Sequence, residues 1–395
     1  MTEQNIAMGQ ARHEYRLTSI DFLRGLVMVI MAIDHVRDYF TDIRFDPLDL
    51  EQGNGALFMT RWVTHFCAPV FVLLAGLSAG LMAERRSRAE LSRFLFTRGI
   101  WLIVLEFTLI TFGWTFQPIT NFLILQVIWA IGLSLVVMSA LVWTPKWFIA
   151  AFAFIIIFGH NLLDSSLFPA PLPLNTAGPF WHALHNMVFT LDLGLPTLVA
   201  YPILPWIAVL PLGYLMAGIF KMDMKKRHQA LVRIGLSSIA LFIILRAGNI
   251  YGDPSIWIAQ EDMMKNFFAF INVTKYPPSL LYLLITLGPG IIILAYAEKW
   301  RGPLVNCMIT FGQVPFFFYV AHIYVIHTAA LIAAEMQGLG WRATAQSFFK
   351  FPPEYGYSLP IVWLLWLILI LLLYPAYKWF ANIKKRRKYW WLSYL

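Results

Sequence analysis

Arg24 and His35 stand eleven residues apart in the run SIDFLRGLVMVIMAIDHVRDYF, residues 19–40. At about 100° per residue they share one face of a helix, about 16 Å apart along its axis. Ionisable side chains inside a membrane helix are costly and face a cavity or a pathway. A cation below and a titratable base above therefore suit one wall of a polar shaft. Asp34 and Asp38 flank His35, and Asp38 at i+3 is within reach of the ring. A carboxylate on one ring nitrogen would set the tautomer and leave the other nitrogen as base or nucleophile. The alternative is a charged helix end that only anchors the span, a role that suits Arg37 and Arg44.

A second polar cluster lies in FGQVPFFFYVAHIYVIH, residues 311–327. Tyr319 and His322 are i, i+3 neighbours, as are Tyr324 and His327. The two histidines point about 140° apart, so one of them can face a given cavity. Gln313 and Tyr319 lie nearer the face of His322, which makes His322 the candidate. Polar groups satisfied between packed helices are the alternative. Glu106 is a carboxylate inside an apolar run, with Gln126 and Trp129 in the next one. It is a functional candidate by its position, and Arg98 or Arg246 could equally be a structural partner. His35, His65, His160, His182, His185, His322 and His327 all fall in one half of the expected spans or in the loops beyond. Four of them at the ends of four spans point to one shared chamber. Cys67 and Cys307 form no metal or redox pattern.

The elements that must carry these residues are membrane helices. The chain of 395 residues is 59% hydrophobic and 13% charged, against about 25% charged in soluble domains. The reading is all-α, a polytopic integral membrane protein of about ten transmembrane helices, forming one domain over residues 1–395. The spans are 18–39, 60–83, 98–116, 121–142, 147–160, 202–220, 230–248, 279–298, 304–328 and 359–380. Most of the 30 Lys and Arg fall in connections that an even number of spans puts on one side with both termini. That side is cytoplasmic by the positive-inside rule. The net charge of +9 thus sets orientation, and nucleic acid is not an expected partner. The first run ends in DHVRDYF, so a cleaved signal peptide is not expected. The basic aromatic tail from Lys384 to Leu395 would lie at the headgroup level. No P-loop, HExxH, GxSxG or Rossmann fingerprint occurs in a sensible context.

Six blocks, in order, carry a resemblance: RLTSIDFLRGLVMVIMAIDHVRD, THFCAPVFVLLAG, LQVIWAIG, YPILPWIAVLPLGY, KYPPSLLYLLITLGP and FGQVPFFFYVAHIYVIH. Together they resemble a bacterial family related to heparan-α-glucosaminide N-acetyltransferase. That family is similar to the wider superfamily of O-antigen and peptidoglycan acyltransferases, which share the Arg-Gly and later His of the first span. Gly312, Tyr319 and His322 match the Gly, Tyr, His spacing of the heparan enzymes. Those enzymes place their proposed catalytic His in the loop after the first span, and residues 41–59 contain none. The role therefore falls to His35. The resemblance implies an inner-membrane acyltransferase that moves an acyl group, acetyl foremost, from cytosolic acyl-CoA to a hydroxyl or amine of a sugar-type acceptor. Arg24, Asp21, Gln126 and Tyr319 would hold the acyl-CoA. His35, Asp34, Asp38 and His322 would do the chemistry, with His35 as base or acyl carrier and no metal. Backbone amides at broken helix ends or His322 would stabilise the oxyanion. Expected partners are acyl-CoA, a glycan or other small acceptor, and membrane lipid; a homodimer is left open. The competing reading is a transporter or flippase for a small metabolite or lipid-linked sugar.

Overall fold

The computed structural model describes residues 3–118, 120–164, 179–185, 188–192, 194–345, 351–387 and 389. Helix α1 (Glu3–Phe40) contains no proline and runs unbroken. It is followed by α2 (Gly55–Met82), α3 (Arg88–Thr115), α4 (Val127–Leu141), α5 (Lys146–Leu163), α6 (Trp206–Lys221) and α7 (Met224–Ala247). Then come α8 (Met263–Ile271), α9 (Leu280–Ala297), α10 (Pro303–Gly312), α11 (Pro315–Met336) and α12 (Leu359–Arg386). Among the described residues, α2, α3, α5, α7, α9, α11 and α12 are long and apolar enough to cross a bilayer, while α4, α6 and α10 are shorter apolar helices. The protein is an all-α polytopic membrane protein.

α1 is its central helix. No residue from Ser19 to Phe40 is exposed. This is how one helix can hold Asp21, Arg24, Asp34, Arg37 and Asp38 in a membrane: every one faces protein rather than lipid. Its closest neighbour is α10. A Cβ built on Gly25 would fall 1.8 Å from the Met308 carbonyl oxygen, and one on Gly312 would fall 1.8 Å from that of Asp21. The same device joins α2 to α6 at Gly76 and Gly213. Small residues let helix backbones touch where lipid offers no hydrophobic drive.

Three features differ from the expected spans. The span at 304–328 is two helices, broken at Gln313 and Val314. Pro315 has no N–H to continue the ladder and biases Val314 away from helical geometry. The span at 121–142 begins with a strand, β1 (Leu123–Leu125), and becomes helical at Val127. Together with β2 (Val188–Asp192) and β3 (Pro196–Val199) it forms a three-stranded sheet in the order β1-β3-β2. β1 runs parallel to β3 and pairs Leu123 with Thr197 and Leu125 with Val199. This pairing satisfies backbone groups ahead of α4, as a membrane interior demands. Finally, Lys384 and Lys385 belong to the last turn of α12. They are helical rather than part of a separate tail, and residues 388 and 390–395 of that expected tail lie outside the described residues.

Candidate active site

The break between α10 and α11 frees a carbonyl, and Arg24 takes it. The Arg24 guanidinium donates to Gly312 O at 3.0 Å, to the Asp21 carboxylate at 2.9 Å and to Ser78 Oγ at 3.1 Å. It thereby ties α1 to α10 and α2. Beside it opens a cavity of about 620 Å³. Arg86, Arg98, Lys384 and Lys385 stand on its wall, along with Gln313 and Tyr319. These four cations, from three separate parts of the chain, make the cavity wall attractive to anions, while the Asp21 carboxylate meets the Arg24 charge at close range.

His35 lies in the next chamber along α1. This second cavity is about 380 Å³ and also holds Asp34, Asp38, Gln126, Tyr276 and Tyr319. Arg24 and His35 thus line two cavities, not one. Met31 is seven residues beyond Arg24 and four before His35, so it projects between them on the shared face. With Phe71, Val127 and Tyr319 it lines both cavities and forms their common wall. A third cavity of about 480 Å³ continues outward, sharing Asp46, Arg61, Lys275 and Tyr276 with the second.

The expected carboxylate does not meet the His35 ring. His35 Nδ1 lies 2.7 Å from Nε2 of His322, with the rings stacked at 5.0 Å. Asp34 pairs instead with Arg37 and Arg61, and Asp38 pairs with Arg37 at 2.6 Å. Two buried guanidiniums outcompete a neutral imidazole for the carboxylates. The tautomers follow from the backbone. His322 Nδ1 lies 2.7 Å from Phe318 O. A carbonyl only accepts, so His322 carries its proton on Nδ1 and has its lone pair on Nε2. His35 Nδ1–H donates to that lone pair. His35 Nε2 is left as the basic nitrogen. The edge of Trp114 packs on the His35 ring at 4.8 Å. Trp114 Nε1–H donates to the Tyr319 hydroxyl at 3.2 Å, and that hydroxyl donates to Gln126 Oε1 at 3.3 Å. Tyr319 and Gln126 therefore sit in one network that packs against His35.

Of the expected oxyanion donors, His322 is already engaged. His322 has its two ring nitrogens on Phe318 and His35. α11 opens on Pro315, which has no N–H, and two amides at the start of α4, those of Gln126 and Trp129, are taken by Glu106. That carboxylate accepts from Gln126 N at 3.1 Å and Trp129 N at 2.9 Å. A π-helical turn, Glu106–Ile110, presents it there, and the helix dipole favours its charge. Glu106 thus meets neither Arg98 nor Arg246. Arg246 donates to the carbonyls of Ser255, Ala269, Phe270 and Asn272.

The other histidines do not join this chamber. His160 sits between the carbonyls of Ile156 and Pro278, and His185 pairs with Asp164. His327 contacts Gly113 O at 2.9 Å and stacks on Phe116. His65 lines the third cavity. The side chains of His13 and His182 lie outside the described residues. Sequence reasoning did not single out Lys275, Tyr276 or Arg61. The signal was present in KYPP, a Lys-Tyr pair ahead of two prolines that pin the chain at the entry to α9.

A family model described as heparan-alpha-glucosaminide N-acetyltransferase, catalytic, matches residues 16–251. That span includes Arg24, His35, Glu106 and Gln126; Tyr276, Tyr319 and His322 lie beyond it. Comparison with curated proteins found no match.

Proposed function

Because the chain belongs to the family of the heparan-alpha-glucosaminide N-acetyltransferase catalytic region, we propose that it transfers an acetyl group from cytosolic acetyl-CoA to a sugar-type acceptor across a bacterial inner membrane. The observation that carries this reading is the His35–His322 pair, whose tautomers the Phe318 carbonyl sets, in a cavity that shares one wall with a second cavity lined by four cations.

The CoA phosphates bind at Arg86, Arg98, Lys384 and Lys385, where charge-assisted hydrogen bonds hold anions. Pantetheine runs along the α1 face, past Met31 and Tyr319, and brings the thioester to His35. The rise of about 16 Å between Arg24 and His35 suits an extended pantetheine arm. The acceptor enters through the third cavity. His35 Nε2 takes the proton of its hydroxyl or amine as the new bond to the acyl carbon forms. The resulting imidazolium keeps its Nδ1–H on His322, which holds the ring in place. As the carbon–sulfur bond breaks, the proton passes from His35 to the departing thiolate. Burial keeps the thioester from water. Asp34 and Asp38 act through Arg37 and Arg61 and fix the position of the α1 end rather than the ring tautomer. Asp21 and Arg24, at the start of the apolar part of α1, and Lys384 and Lys385, late in α12, line one basic cavity, which supports placing both termini on the cytoplasmic side.

The test is purified protein in detergent with radiolabelled acetyl-CoA, scored for release of CoA thiol with glucosamine and methyl glucoside as acceptor probes. Turnover by the wild type that His35→Ala abolishes is the expected result. A protein that neither binds nor turns over acetyl-CoA overturns the reading and leaves transport as its replacement.

A further inference from the structure

Acyl transfer passes through a tetrahedral carbon whose oxygen carries the charge, and a donor aimed at that oxygen supplies the largest single stabilisation in most such sites. His322 is engaged at both nitrogens, and Glu106 holds the Gln126 and Trp129 amides at the start of α4. Tyr319 donates to Gln126, Trp114 donates to Tyr319, and Thr64 donates to the Arg61 carbonyl. Tyr276 remains. It lies in the connection between α8 and α9 and lines both the His35 chamber and the third cavity, so it stands where the acceptor path meets the thioester. The edge of its ring packs on Tyr201 at 5.9 Å, and Lys275 Nζ lies 5.1 Å from its ring centre.

Resting on the acyl-transfer reading, we propose that Tyr276 is a catalytic residue whose hydroxyl donates to the oxyanion of the tetrahedral intermediate, with Lys275 and Arg61 as the cations behind it. The acceptor oxygen or nitrogen bonds to the acyl carbon, and the carbonyl π pair moves onto oxygen. Tyr276 O–H donates to that oxygen and keeps its proton. The pair returns as the carbon–sulfur bond breaks, and the acceptor proton reaches the thiolate through His35. Burial pushes the Tyr276 phenol up, but the Lys275 ammonium and the Arg61 guanidinium outweigh it and hold the phenol below its ordinary range. An acidified phenol is the better donor to an oxyanion. The groups that face it are Lys275 beside it, Arg61 on α2, Asp34 on α1, Tyr201 ahead of α6, Tyr282 on α9 and Tyr319 on α11. Asp34 opposes the two cations but is already paired with Arg37 and Arg61; Asp38 lines the His35 chamber, and Asp46 lines both that chamber and the third cavity.

The donor works only while protonated, so wild-type kcat falls as pH rises through the phenol pKa. Lys275→Met removes a cation that lowers that pKa, so the basic limb moves to higher pH. Tyr276→Phe removes the limb and lowers kcat about 10²-fold, with KM for acetyl-CoA unchanged because the CoA cations lie in the first cavity. The protein is assayed at full length in detergent, with acetyl-CoA and the probes glucosamine and methyl glucoside. Near-ultraviolet tyrosinate absorbance, wild type minus Tyr276→Phe, reads the phenol independently of turnover. One tyrosinate forming below the usual tyrosine range supports the proposal. Coincident titration curves overturn it. So does a Tyr276→Phe protein with wild-type kcat, or a Lys275→Met limb that does not move. If wild-type protein turns over neither probe, the acyl-transfer reading fails and this role with it. If the wild type is active and Tyr276→Phe equals it, the role alone fails.

Discussion

Replacing His322 with alanine isolates what the second imidazole contributes. In the native site His35 Nδ1–H has a single acceptor, His322 Nε2 at 2.7 Å, and His322 is fully buried. The substitution leaves that buried donor without a partner, while the Phe318 carbonyl keeps its helical backbone hydrogen bond and loses only the imidazole. An unsatisfied buried polar group costs about 1–3 kcal/mol. Much of that cost falls on the state in which His35 presents Nε2 to the acceptor, because the ring can now turn or change tautomer to find water. At about 1.4 kcal/mol per factor of ten, kcat should drop by about 5- to 150-fold. The loss must be smaller than that of His35→Ala, since the base itself is still present. KM for acetyl-CoA should hold, because His322 is not on the wall of the first cavity. Thiol release measured against acetyl-CoA concentration separates the two constants. A His322→Ala enzyme with wild-type kcat would refute the relay and make the ring pair a packing contact. A loss equal to that of His35→Ala would refute the division of roles.

His35→Ala should lower turnover 10²-fold or more, as expected for a lost general base, with acetyl-CoA binding retained by calorimetry; wild-type turnover would end its assignment. The double change Lys384→Ala and Lys385→Ala should weaken acetyl-CoA binding about tenfold or more and reduce its salt dependence. Unchanged affinity would move the phosphate site elsewhere. Arg24→Ala should weaken acetyl-CoA binding and also destabilise the fold by about 1.5–3 kcal/mol through lost charged hydrogen bonds to Asp21, Gly312 and Ser78, read as a lower melting temperature in detergent. A variant with unaltered melting would show that these bonds do not clamp the helices. Gly312→Ala should destabilise by about 1–3 kcal/mol or more, because its Cβ would meet the Asp21 backbone; normal melting would contradict the close approach of α1 and α10.

Much of the fold is legible in the sequence because a bilayer imposes a simple rule. Apolar runs of membrane length become helices, since no other open structure satisfies its backbone in lipid. The misreadings lie where local chemistry interrupts the run. Pro315 splits 304–328, and a strand precedes Val127 because Leu123–Leu125 finds a partner in Pro196–Val199, more than seventy residues away. Pairing over that distance leaves no periodicity to read.

The same boundary runs through the candidate site. The sequence by itself determined that Arg24 and His35 share a helix face, because the angle between them depends only on helix geometry. It also determined that His322 lies on the Tyr319 side of its helix and that Glu106 must find a partner within the membrane. Tertiary structure alone decided who those partners are. His35 meets a histidine rather than either adjacent carboxylate, because Arg37 and Arg61 converge on Asp34 from different elements. Glu106 meets amides rather than an arginine, because a π turn aims it at the start of α4. Lys384 and Lys385 join a cavity with Arg24, some 360 residues earlier in the chain. Side-chain type and spacing set what each group can do, but which groups meet depends on helix crossings. Those crossings are set by glycines such as Gly25 and Gly312, whose effect is felt only when two distant backbones touch.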